Sequence, residues 1–290
     1  MGLIKVARKT RGRLKPLTKT LGEVETAAGR QLVLATATTS GHDRVLSSLL
    51  GGSIGTHVAS DGLLVHAAGP DGDHEPSRLA LARHKAAGGK SLVVLIGRPV
   101  ERARMEATYL AGFDLELSDV MHVDGLAGPS ADAVLSRILD TLGDDIVAAC
   151  AADPRLRDVA ARHLIVRASR RSAAVGAVGF LPGAELPVLL AQQVRLVSQL
   201  AALHGRPLGR DRALELAGVV AAGFGWRGLA RTAIRQVPGA RLALRGGVAY
   251  AATRSTGEAA LRWFASDASA RPLDAIPRSL PGANSRRNPD

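Results

Sequence analysis

Four short apolar runs, at residues 31–36, 62–67, 91–97 and 120–123, are rich in Val, Leu and Ile and bounded by Gly, Asp or Ser, as buried strands are. Between and after them, segments 42–50, 76–87, 100–111 and 131–142 space their apolar residues at helical intervals. That alternation predicts a parallel sheet with right-handed crossovers and helices on both faces. From Pro154 onward the strand signals stop and helical periodicity takes over. Within 155–171, Leu156, Val159, His163 and Val166 are expected to form one apolar stripe, with Arg155, Arg162, Arg167, Arg170 and Arg171 largely outside it. Within 188–203, Leu189, Leu196, Leu200 and Leu203 are expected to face inward and Gln192, Arg195 and Gln199 outward. The predicted fold class is therefore α/β plus all-α: a short parallel-sheet domain of Rossmann or P-loop type, followed by a helical bundle.

Three stretches of the helical half, 173–184, 216–226 and 246–253, are uncharged and full of Gly and Ala. None reaches the roughly 18 residues needed to span a bilayer. Glycine inside a helix costs about 1 kcal/mol relative to alanine, so its use here implies close backbone approach between helices, in a protein core or in lipid.

The chain has 290 residues, 46% of them hydrophobic and 22% charged, which suits two domains with real cores and excludes a disordered or collagenous protein. The division predicted is a basic arm at 1–27, an α/β domain at 28–150, a helical domain at 151–265 and a disordered Pro-rich tail at 266–290. A single cysteine, Cys150, leaves no internal disulfide and fits a reducing cytosol. The net charge of +12 is unevenly placed. Residues 1–20 carry seven basic and no acidic side chains; residues 21–153 carry 10 basic and 18 acidic; residues 154–290 carry 21 basic and 8 acidic. An acidic middle between a basic arm and a basic carboxyl half suits docking on an anionic surface or pairing of the halves. In the arm, Lys5, Arg8, Lys9, Arg11, Arg13 and Lys15 are the candidate contacts with such a surface. These basic residues also interrupt any apolar core of a secretory signal, so export is not expected.

Ligands on parallel sheets bind at the carboxyl ends of the strands. There, a phosphate loop needs Gly-x-x-x-x-Gly-Lys-Ser/Thr between strand and helix, so that backbone amides, a lysine and a hydroxyl hold phosphate and magnesium. The first loop keeps the second Gly as Gly41 but departs elsewhere: Thr36 stands for the first Gly, His42 for Lys and Asp43 for the hydroxyl. Asp43 would place negative charge in the first turn of the helix, where an anion would otherwise be favoured. Gly89-Lys90-Ser91 imitates the end of such a loop but precedes a strand. The loop after the second strand brings together His66, Asp71, Asp73, His74 and Glu75; a divalent cation is one reading, and a Gly-Pro-Asp-Gly turn capping the next helix is preferred. No nucleophile elbow or paired Cys and His is present, and no catalytic residue, metal or cofactor is expected.

Six segments of the helical half carry a family resemblance. They are Phe180-Leu181-Pro182-Gly183-Ala184-Glu185-Leu186-Pro187, Gln192-Gln193-Val194-Arg195, Leu203-His204-Gly205, Ala222-Gly223-Phe224-Gly225-Trp226-Arg227-Gly228-Leu229-Ala230-Arg231, Val237-Pro238-Gly239 and Gly247-Val248-Ala249-Tyr250. In this order they resemble an uncharacterised helical domain of bacterial YcjF-like inner-membrane proteins, also found as an extension of Era-like GTPases. Pro182, Gly183, Glu185, Pro187, Arg195, Arg227 and Arg231 are the motif positions. The resemblance implies that the amino-terminal half is a shortened GTPase domain. Arg98-Pro99-Val100 stands where a guanine-reading Asn-Lys-x-Asp would fall, and only about 25 residues separate the first strand from Gly62, too few for switch regions.

The expectation is a non-enzymatic scaffold or regulator, cytoplasmic and associated with the inner face of the membrane, whose partner is an anionic membrane surface or another protein. Homo-oligomerisation is left open. The alternatives are a divergent nucleotide-binding switch of GTPase type and a nucleic-acid-binding protein, the latter disfavoured by 3% aromatic content and by the lack of helix-turn-helix spacing.

Overall fold

A computed structural model describes residues 22–24, 26, 34–36, 41–50, 62–71, 74–111, 115–151, 153–178, 185–206 and 241–265. Four strands, β1 (Leu34–Thr36), β2 (Leu63–Ala68), β3 (Lys90–Ile96) and β4 (Val120–Val123), form one parallel sheet in the order β1-β2-β3-β4. They alternate with α1 (Gly41–Leu49), α2 (Glu75–Ala86), α3 (Pro99–Leu110) and α4 (Gly128–Leu142). Every strand and helix expected in this half is present. A short helix, α5 (Ile146–Cys150), leads to α6 (Pro154–Val178), α7 (Glu185–Leu203) and α8 (Arg241–Ala265), the described part of the helical region.

Because strand side chains alternate between faces, the sheet sorts its residues into two apolar layers. Leu34, Leu63, Val65, Leu92 and Val94 pack with Leu46 of α1 and with Val134 and Ile138 of α4. Ala35, Leu64, Val93 and Leu95 pack on the other face with Leu81 of α2 and with Met105 and Tyr109 of α3. The strands advance across the sheet in one direction, yet α1 covers the face opposite to α2 and α3. The residues that join α1 to β1 and to β2, 37–40 and 51–61, lie outside the described residues.

The first apolar layer continues without a break into the helical half through Leu142, Ile146, Leu156, Leu164, Leu196, Leu200 and Phe264. On α6 the buried stripe is Leu156, Ala160, Ala161, Leu164 and Ile165, extended by Ser169 and Ser172, whereas Val159, His163 and Val166 are only partly buried. The prediction chose the larger side chains at helical spacing. The helix instead turns its small residues toward its neighbours, because small side chains let backbones approach. Gly176 and Gly246 mark that approach: a Cβ on Gly176 would lie 2.9 Å from the Cβ of Ala249, and one on Gly246 would lie 3.1 Å from the carbonyl oxygen of Ala173. Residues 173–178 and 246–253 of the small-residue stretches thus form the α6–α8 crossing, while 179–184 and 216–226 lie outside the described residues. On α7, Leu189, Leu196, Leu200 and Leu203 are buried as expected, but Gln199, only 7% exposed, does not face outward. Among the described residues, no helix is long and apolar enough to cross a membrane.

Candidate functional site

At the carboxyl end of the sheet, β1 stops at Thr36, opposite Val65 of β2. Two residues on, the backbone N–H of Ala67 donates to Asp43 Oδ1 at 2.9 Å. Asp43 stands in the first turn of α1 and is 1% exposed. Its two oxygens also lie 3.2 and 3.1 Å from Nδ1 of His66, itself 2% exposed. An ionised carboxylate only accepts, so Nδ1 carries the proton and donates. Nε2 of His66 then presents a lone pair that finds no hydrogen-bond partner among the described residues.

The His66 ring lies against Tyr109 of α3, with centroids 5.8 Å apart. The Tyr109 hydroxyl shares a hydrogen bond with Nδ1 of His74 at 3.2 Å. Burial, and then the Asp43 charge, push this phenol well above its usual range, so it stays protonated. His42 is exposed, and its ring lies beside Gly69, where a Cβ would come within 2.4 Å of Cε1.

Thr36, Gly41, His42 and Asp43 are therefore assembled where a phosphate loop would lie, but the position of the magnesium-binding hydroxyl holds an internally bonded carboxylate. A phosphate there would meet a buried negative charge. The other expected ligand positions are occupied structurally too. Arg98 precedes α3 and forms a capping box with Glu101: the Arg98 backbone N–H donates to Glu101 Oε2 at 2.8 Å, and Arg98 Nε donates to Oε1 at 2.9 Å. These bonds hold the Glu101 carboxyl below its ordinary range. Gly97 enters this cap at φ +138°, a backbone state that suits glycine. Lys90 opens β3 at the opposite end of the sheet, where Nζ donates to Leu142 O at 2.9 Å and pairs with Asp145 at 2.7 Å.

In the second loop, Glu75 begins α2 and accepts from Arg78 at 2.8 Å, while Gly72 and Asp73 of the expected capping turn lie outside the described residues. Among the described residues, no three His, Cys, Asp or Glu side chains are placed to share a metal ion.

The arm residues Lys5, Arg8, Lys9, Arg11, Arg13 and Lys15, together with Pro182, Gly183, Arg227 and Arg231, lie outside the described residues, and Glu185 and Pro187 fall in the first turn of α7. Arg195 is the motif residue that the structure places. It does not simply face outward: it lines a shallow groove between α6 and α7 with Arg167 and Arg171. One of its nitrogens lies 2.9 Å from Asp144 Oδ1, and a second lies 3.7 Å from Glu23. Gln192 and Gln199 share the same face of α7, at i−3 and i+4 from Arg195. Sequence reading found the arginines of α6 and the polar positions of α7 separately; the pairing of the two helices was missed.

Residues 154–279 match the model of a domain of unknown function, DUF697, the helical domain to which the motifs of this half were likened. No curated protein and no solved structure matches the chain.

Proposed function

We propose that the chain is a non-enzymatic scaffold or regulatory protein of the anionic cytoplasmic membrane face, built on a GTPase-type α/β domain that no longer holds a nucleotide. The observation that carries this reading is Asp43, a buried carboxylate committed to Ala67 N–H and His66 at the place where phosphate oxygens would need those donors. The placement of α1 on the sheet face opposite to α2 and α3 supports the descent. If a right-handed connection once ran from α1 to a strand on the far side of β1, deleting that strand would leave α1 on its face. The short interval between β1 and β2 agrees with such a loss. The basic arm and basic carboxyl half supply the attraction to an anionic leaflet, about 1 kcal/mol for each cation near the surface.

Fractionation of cells into soluble and membrane pools tests the docking. The chain is expected in the membrane pool and is expected to leave it in high-salt washes, since surface attraction is screened by salt. A soluble chain at low salt, or one that resists both high salt and carbonate, would contradict peripheral electrostatic docking.

A further inference from the structure

We propose that the groove between α6 and α7 is a binding site for a phosphomonoester, with Arg167, Arg171 and Arg195 as its phosphate ligands. Arg167 and Arg171 are one turn apart on α6 and face Arg195 across the groove. Three guanidiniums line it with one carboxylate, Asp144. Asp144 and, more distantly, Glu23 pair with Arg195, whereas Arg171 has no hydrogen bond or ion pair among the described residues.

The surrounding bonds set the donors in place. Arg167 donates through Nη1 to Gly143 O at 2.9 Å, which fixes its guanidinium plane. Ser172 Oγ donates to Gln192 Oε1 at 2.9 Å, which leaves the Gln192 amide nitrogen as the group free to donate. Burial, and then the neighbouring Arg171 charge, lower the pKa of Arg167, and a bound anion would act in the opposite direction.

A carboxylate presents two oxygens and one charge. A phosphomonoester presents three terminal oxygens and up to two charges, which better matches three guanidiniums lining one groove. Leu164, Ala168 and Leu196 supply an apolar wall on which the ester's organic part can rest. Two sources share this chemistry: a phosphomonoester lipid headgroup at the leaflet and a soluble phosphorylated metabolite. The lipid source deepens the membrane reading and rests on it; the soluble source does not.

The test titrates the full chain with inorganic phosphate by calorimetry, alongside the Arg171→Gln and Arg170→Gln variants. Arg171 and Arg170 are both exposed, and only Arg171 lines the groove. Saturable binding of one phosphate per chain is expected, weakened at least about tenfold by Arg171→Gln, as loss of a charged hydrogen bond implies, and by less than about twofold by Arg170→Gln. Absence of saturable binding, or equal weakening by both variants, overturns the site. Vesicles of phosphatidylcholine with either phosphatidic acid or phosphatidylglycerol then separate the sources. A preference for phosphatidic acid that Arg171→Gln abolishes identifies the headgroup. Phosphate binding without that preference identifies a soluble ester. A chain that binds phosphate but no vesicle keeps the groove and refutes the membrane reading; salt-sensitive vesicle docking without phosphate binding does the reverse.

Discussion

A carboxylate can stay ionised in a protein interior only where donors surround it, and Asp43 meets this condition with Ala67 N–H and His66 Nδ1–H. Asp43→Ala strands both donors and is expected to lower stability by about 3 kcal/mol, read as a fall in the urea midpoint at unchanged slope. His163 offers a pH test. Its Nε2 lies 3.1 Å from Asp140 Oδ1, and burial outweighs that neighbour to lower its pKa. The unfolded chain therefore takes up this proton first, so the stabilising contribution is full above about pH 6.5 and declines as the pH falls toward the lower folded-state value. His163→Gln should flatten the dependence of melting temperature on pH across that window; an unchanged slope would assign it to other groups. The Cys150 thiol is buried and pushed up to about 12, chiefly by desolvation. It is expected to resist a thiol reagent in the native chain and to react fully once unfolded.

At the scale of elements, the α6–α8 crossing depends on the absence of side chains at two glycines. Gly176→Val would drive a branched side chain against Ala249 and the carbonyl of Arg245, and is expected to cost about 1–3 kcal/mol by overpacking. Gly247, one residue from the contact, has nothing within 4 Å of a Cβ. Gly247→Ala should therefore raise helix stability by up to about 1 kcal/mol, and thermal melts of the two variants should shift in opposite directions. The glycine and alanine content of these stretches made close packing legible beforehand. Which face of α6 took part was not, because Ala160, Ala161, Ser169 and Ser172 carry no hydrophobic signal that outweighs Val159 and Val166. Their burial follows from three helices meeting around one axis, which the periodicity of a single helix does not record.

For the whole molecule, the strands were legible because a parallel sheet buried on both faces writes itself as continuous Val, Leu and Ile runs between turn residues. The departure from a phosphate-loop motif was also legible, residue by residue, at Thr36, His42 and Asp43. The use made of Asp43 was not: its partners are 23 and 24 residues away and meet it only because β1 ends before β2 does. The groove containing Arg195 escaped notice for the same reason, since it depends on how α6 and α7 are rotated against each other. One apolar cluster joins the sheet to these helices, so the closed end of the sheet and the basic groove belong to a single packed body. The most direct measurement is equilibrium dialysis of the full chain against labelled GTP and ATP with magnesium. No saturable binding dependent on the sheet edge is predicted. Magnesium-dependent binding of either nucleotide that is abolished by substitution of Asp43, with the fold retained, would contradict the central claim that an internal carboxylate has closed this site.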